Sequence, residues 1–185
     1  MLLLTTLILF LPLAAQADSL FDSQLKLAKS GDAEAQFNVG EMYEIGFGVH
    51  QNEKEARYWM ARSANQKHEI AGFKLLYWDV ERKGLKGKNK AKMKELNIMA
   101  KQDNSQAQYY LGKMYANGVG FNKNPDVAID WLKKAASAGV LEAELELASV
   151  REEKQPDTQK KALLKNRFES DPCSGKSAKF LSTCK

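Results

Sequence analysis

AEAQFNVGEMYEIGFG at residues 33–48 and SQAQYYLGKMYANGVG at residues 105–120 are two copies of one pattern, set 72 residues apart. Half that interval is the true period. Alanine recurs in steps of 36 at Ala28, Ala64, Ala100 and Ala136, and again at Ala35, Ala71, Ala107 and Ala143. Within each copy Ala35, Val39 and Tyr43, or Ala107, Leu111 and Tyr115, fall at i, i+4 and i+8, which is one apolar stripe of a helix. Gly40 and Gly112 lie beside that stripe, where a missing side chain admits a second helix, and Gly46/Gly48 and Gly118/Gly120 stop the first helix and turn the chain.

A second helix follows each turn. Asn52 stands three residues before Glu55 as in a capping box, and Asn124 precedes Pro125, a residue suited to the first helical position. Ala56, Trp59 and Ala64 then map onto Ala128, Trp131 and Ala136, with each Trp expected as the bulky plug between helices. A unit of this size cannot bury its own apolar face, so neighbouring units must stack into a continuous core. That arrangement pushes function toward binding over an extended surface.

The pattern A-x-A-Q-x-x-[LV]-G-x-x-Y-x-x-G-x-G, followed by N-x-x-x-A-x-x-W-x-x-x-[SA]-A, resembles the Sel-1-like repeat (SLR), a relative of the tetratricopeptide repeat. Residues 33–68 and 105–140 carry it closely. The resemblance implies an all-α, right-handed α-solenoid of helix–turn–helix units, about three to four of them, with the first helix of each pair lining a concave side.

The middle unit, 69–104, keeps the frame through Ala71, Leu75 and Ala100 but departs elsewhere. Leu76 replaces the glycine, Asp79 replaces the tyrosine, and no tryptophan is present. A turn one residue longer would make Asn89 the cap and put Leu96 where Trp sits in the other units. A fourth unit opens with Leu141–Ala148, and Pro156, Asp157 and Thr158 start its shorter second helix, carrying Ala162, Leu163, Leu164 and Phe168. Leu20–Lys29 resembles the second helix of a missing unit and is expected to cap the array. Roughly nine helices and no strands follow from this reading.

Residues 1–17 are almost wholly apolar and end in Ala15, Gln16 and Ala17, a small-x-small pattern before Asp18. This predicts a signal peptide cleaved after Ala17 and a periplasmic or secreted protein, although no Lys or Arg precedes the apolar run. Residues 18–169 then form the solenoid and 170–185 a tail. In an oxidising compartment the two cysteines, Cys173 and Cys184, read as a disulfide closing that tail, worth about 2–3 kcal/mol. A metal or redox pair is the alternative. The net charge of +5 suits solubility and attraction to acidic surfaces, and nucleic acid is an odd ligand for an exported chain.

A series opposite the core stripe, Phe37, Phe73, Tyr109 and Leu145, again steps by 36, with Glu41, Tyr77 and Lys113 beside it. These residues read either as an aromatic groove gripping a protein partner or as packing between successive first helices. Tyr77 is expected to be exposed, whereas Trp78 is expected to turn inward toward the space left by the absent tyrosine at 79. Arg82, Lys83, Lys86, Lys88, Lys90, Lys92 and Lys94 form a basic run, either a solvated face or a patch that speeds docking of an acidic partner.

No catalytic constellation can be assembled. His50 and His68 are the only histidines and have no metal-ligand spacing, and no nucleophile elbow, phosphate loop or H-E-x-x-H is present. The cysteine pair per repeat that marks the β-lactam-binding or hydrolysing branch of the SLR family is also missing, so that activity is the least favoured. The expectation is a non-enzymatic protein without cofactor or metal. Its partner is another exported or membrane-exposed protein, the chain acting as an envelope adaptor or regulator or as an immunity protein against a secreted toxin.

Overall fold

The computed structural model describes residues 13–154, with side chains from Ser19 onward. Eight helices run in order: α1 (Leu13–Lys29), α2 (Ala33–Ile45), α3 (Glu53–Asn65), α4 (Glu69–Lys83), α5 (Lys88–Lys101), α6 (Ser105–Asn117), α7 (Pro125–Ser137) and α8 (Leu141–Lys154). No strand occurs among the described residues. Helices α2/α3, α4/α5 and α6/α7 are the three complete hairpins, α1 caps one end and α8 opens the fourth unit. The cap is longer than expected, because α1 begins at Leu13 and continues without a break past Ala17. The expected helix after Pro156 and the Cys173–Cys184 pair lie outside the described residues, as does most of the expected signal segment.

The period is written into the junctions between units. Gly31, Lys67, Asp103 and Gly139 all take positive φ, one at each return from a second helix to the next first helix. One residue later Asp32, His68 and Asn104 cap α2, α4 and α6, each accepting the N–H three residues on. Inside the hairpins Gly46 and Gly118 are left-handed and donate to Met42 and Met114 carbonyls, closing α2 and α6. Asn52 and Asn124 cap α3 and α7 as their positions foretold.

Helix α5 breaks the rule. Its N-cap is Gly87, with no side-chain cap, and Asn89 sits inside the first turn. The cap expected at Asn89 is therefore wrong. The turn bounded by Gly84 and Gly87 starts the helix at Lys88, so the buried Asn89 reaches back instead and donates from Nδ2 to the Gly84 carbonyl at 3.3 Å. Leu96 does take the core position, at 1 % exposure.

The close approach at Gly40 and Gly112 is real. Trp59 is buried in the core as expected, but Trp131 is not, and the side chains set against the two glycines are Met60 and Leu132. A Cβ on Gly40 would meet Met60 Cγ and Cε at 3.0 Å, and one on Gly112 would meet Leu132 Cγ at 2.8 Å. Met60 and Leu132 are wholly buried, while Trp131 is half-buried with Lys134 Nζ 4.7 Å from its ring. One residue of helical rotation separates the two candidates, and the narrow notch over a glycine takes the slimmer side chain.

The glutamine of the A-x-A-Q pattern also has a structural office. Gln36 and Gln108 are buried and donate from Nε2 to the carbonyls of Ala28 and Ala100, each at 3.1 Å. They tie α2 to the end of α1 and α6 to the end of α5, satisfying both buried carboxamide N–H groups. The apolar core itself divides into two clusters. One runs from Phe21 to Trp59 through Ala28, Ala35, Val39 and Met42, the other from Phe73 to Val150.

Candidate functional site

First helices α2, α4, α6 and α8 together line a cavity of about 170 Å³, to which Phe37, Glu41, Tyr77, Tyr109 and Lys113 all contribute. Two lysines organise it in different ways. Lys74 is paired with both Glu41 and Glu44 from α2, so its charge is spent within the fold. Lys113 is held by rings: Nζ lies 5.4 Å from the Tyr77 centroid and 5.6 Å from that of Tyr109, and donates to Tyr109 Oη at 3.3 Å. Among the described residues no carboxylate is ion-paired with it. Glu142 of α8 and Gln106 complete the polar side of the lining.

Burial sets the acidity of the tyrosines here. It pushes Tyr109 up to about 12, with Glu146 and then Glu142 adding to the effect. Tyr110 is raised further, again by burial first and then by Tyr109 itself and Glu41. Tyr77 is raised by burial and Glu81, against the opposing pull of Lys113 and a hydrogen bond to Asn117. A tyrosine whose folded pKa exceeds its unfolded value favours the fold while it is neutral. That contribution is whole below pH 10 and disappears as pH climbs through the folded value. Thermal unfolding followed between pH 10 and about 12 should show melting temperature falling with pH, and Tyr109→Phe should make the fall shallower.

The series Phe37, Phe73, Tyr109 and Leu145 does not stay together. Phe73 is 8 % exposed and packs 5.9 Å from the ring of Tyr110, away from the groove. The cause is Tyr110, which occupies the station held by Asn38 and Lys74 in the preceding units and covers Phe73 with a large ring. Phe37 stacks on His68 at 4.7 Å, and Tyr109 is itself largely buried, so only its hydroxyl end serves the groove. Leu145 is exposed on α8 outside the lining.

Trp78 does not turn into the core. It stays half-buried at the edge of the groove, with the Arg57 guanidinium 5.1 Å and Lys74 Nζ 5.5 Å from its ring. The place of the absent tyrosine is taken by an ion pair instead, Asp79 Oδ1 accepting from Arg57 at 3.5 Å. Arg57, Glu44 and Lys74 were missed from the sequence because each looks like an ordinary surface charge. Only the stacking of two units brings Arg57 and Lys74 onto one tryptophan, with Glu44 paired to the lysine.

Arg82, Lys83, Lys86, Lys88 and Lys90 are all exposed at the end of α4 and the start of α5, as are Lys92 and Lys94. Asp79 approaches Arg82 and Lys83 at 3.9 Å. None of the seven lines the groove. His50 is exposed in its turn, whereas His68 has both ring nitrogens in use: Nδ1 accepts from Ala71 N–H and Nε2 lies 3.0 Å from Glu34 Oε2. Among the described residues no cluster of His, Cys, Asp or Glu could hold a metal, and no helix is long and apolar enough to cross a membrane.

A second cavity, of about 480 Å³, opens between the end of α3, α4 and α5. Its apolar lining is Phe73, Leu76, Leu96 and Met99, Ala64 and Gly72 form part of its wall, and Lys67, His68, Glu69, Lys92 and Glu95 supply its polar side. The sequence does hold a signal for it, the interruption at 72 of the glutamine series 36 and 108.

Comparison with known proteins agrees with this geometry. The Sel1 repeat model matches residues 33–68 and 105–140. Among solved structures, the chain is similar to c5321, a protective antigen of uropathogenic Escherichia coli strains displaying an SLR fold. The identity is 32 %, the TM-score 0.50, and the match covers 76 % of this chain and 30 % of that one. It is also similar to a Sel1 repeat protein from Oxalobacter formigenes, at 26 % identity and TM-score 0.38, over 72 % of this chain and 49 % of that one. This chain thus spans less than half the length of either. Its all-α array of helix–turn–helix units is similar to the SLR fold, with the Sel1 repeat model matched at two of those units.

Proposed function

We propose that this protein is an exported adaptor or regulator of the bacterial envelope that holds a segment of another protein in the groove between α2, α4 and α6. The observation that carries the reading is Lys113. A half-buried cation framed by two tyrosines, with no carboxylate paired to it among the described residues, is primed for an acceptor supplied from outside. The partner segment is extended and presents a carboxylate or backbone carbonyl to Lys113, with an apolar group against Tyr77 and Trp78. The basic run from Arg82 to Lys94 adds attraction at longer range and acts on the rate of encounter. Export rests on the apolar first seventeen residues and the small-x-small pattern before Asp18.

Two variants test the groove without touching the core. Tyr77→Ala and Lys113→Glu, both at half-buried positions, should remove at least one partner recovered by affinity purification from the envelope fraction, at unchanged helical content. The expected loss for each is about tenfold or more in affinity. Retention of every partner by the folded double variant would overturn the groove assignment. Higher salt should slow association, and salt-independent kinetics would remove the basic run from the account. Amino-terminal sequencing of the envelope protein should begin at Asp18, and a chain beginning at Met1 would refute cleavage.

A further inference from the structure

In the first and third units one side chain does the same task at the same station. Gln36 and Gln108 lie buried, at 0 % and 3 % exposure, and each donates its carboxamide N–H to an alanine carbonyl at the end of the preceding second helix. The receiving alanines, Ala28 and Ala100, are members of the 36-residue series whose middle term is Ala64. The middle term of the glutamine series is Gly72. A Cβ built on Gly72 has no atom within 4 Å, and Gly72 and Ala64 both line the 480 Å³ cavity. The Ala64 carbonyl accepts from Lys67 N–H at 2.9 Å, and a carbonyl oxygen has a second lone pair to offer.

We propose that this cavity receives a glutamine side chain from a partner protein, which completes the middle repeat in the way Gln36 and Gln108 complete theirs. The carboxamide of the incoming residue donates to the Ala64 carbonyl. The cavity is larger than one such side chain and falls in the range of small-ligand sites, and its floor of Phe73, Leu76, Leu96 and Met99 is apolar. The occupant is therefore a glutamine with an apolar neighbour. A glutamate in its place would bring a group that only accepts to a carbonyl that only accepts, and its charge would be drawn to Lys67 or Lys92 of the lining instead. This site lies on another flank from the Lys113 groove and stands whether or not that groove binds.

The probes are acetyl-Leu-Gln-N-methylamide and acetyl-Leu-Glu-N-methylamide, titrated at millimolar concentration into the full isotope-labelled chain and followed by amide chemical shifts. The glutamine peptide should shift Ala64, Gly72, Leu96 and Met99, with affinity about tenfold or more above that of the glutamate peptide. Gly72→Gln supplies the missing side chain from within and should abolish those shifts. Gly72→Ala, which adds a methyl group without reaching Ala64, should keep them. Equal response to the two peptides, no shift at these four residues, or an undiminished response in the folded Gly72→Gln variant would each overturn the proposal.

Discussion

Gly112→Val destabilises the fold by about 3 kcal/mol, although valine is a better helix former than glycine. A Cβ at this position already lies 2.8 Å from Leu132 Cγ, 3.0 Å from Cδ2 and 3.2 Å from the Leu132 backbone nitrogen. The side chain could swing away, but the backbone could not, so α6 and α7 must part. They form the tightest hairpin of the array, and Leu132 has no exposed surface. In a chain of this size that loss lowers the melting temperature by roughly 6–12 °C. Leu132→Ala alone costs about 2–5 kcal/mol through the cavity it leaves. Combined with Gly112→Val it should cost clearly less than the sum, because the methyl groups of one variant enter the space made by the other. Calorimetry on the four proteins of this cycle checks the point, and strict additivity would show that the glycine is not there for the leucine. Gly40→Ala should also destabilise, because a Cβ there lies 3.0 Å from Met60 Cγ and Cε and 3.2 Å from the Ala56 carbonyl oxygen, of which only the end of the methionine can swing away.

Gly72→Gln acts in the opposite direction. Glycine inside α4 weakens the helix by about 1 kcal/mol relative to ordinary helix formers, and a buried carboxamide bond to the Ala64 carbonyl adds about 1 kcal/mol, less the entropy of fixing the side chain. The expected gain is about 1–2 kcal/mol, or roughly 2–8 °C in melting temperature. Gly72→Ala separates the two contributions, because it supplies the helix propensity alone. If the glutamine variant is no more stable than the alanine one, the side chain is not reaching Ala64.

These two glycines show how unevenly the structure was legible. Gly112 announces itself: it sits beside an alanine–leucine–tyrosine stripe in a repeated frame, and only a close helix neighbour explains it there. The alanine series fixed the register of the units in the same way, because small residues recur wherever backbones approach. Gly72 shows only as a gap in the series of Gln36 and Gln108. Its meaning depends on a bond made by glutamines 36 residues away on either side, and a side-chain-to-backbone bond has no periodic signature of its own. Phe73 was open to two readings for a related reason. Its burial is decided by Tyr110 on the next first helix, and Phe37 and Tyr109, at equivalent stations, meet different neighbours. The groove was found through Tyr77 and Lys113, whose positions opposite the core stripe follow from helical geometry alone. Arg57 escaped notice because its role begins only when α3 meets α4. Asn89 misled because a capping residue type was placed by counting from the neighbouring units, whereas Gly84 and Gly87 had already shifted the helix start.

The division of the apolar core between Phe21–Trp59 and Phe73–Val150 bears on how the molecule loosens. A repeat array is held by contacts between neighbours, so it comes apart where those are weakest. Here the apolar core is interrupted between α3 and α4, beside a void and a bare glycine, with the smaller body of side chains on the amino-terminal side. The pairs of Lys74 with Glu41 and Glu44 and of Arg57 with Asp79 join the two. Backbone amides of α2 and α3 should therefore trade their hydrogens for deuterium at lower cost than those of α6 and α7, with one common opening for each half. A hinge of this kind lets the two halves of the groove flex against each other, and a partner seated across Glu41 and Lys113 would clamp them.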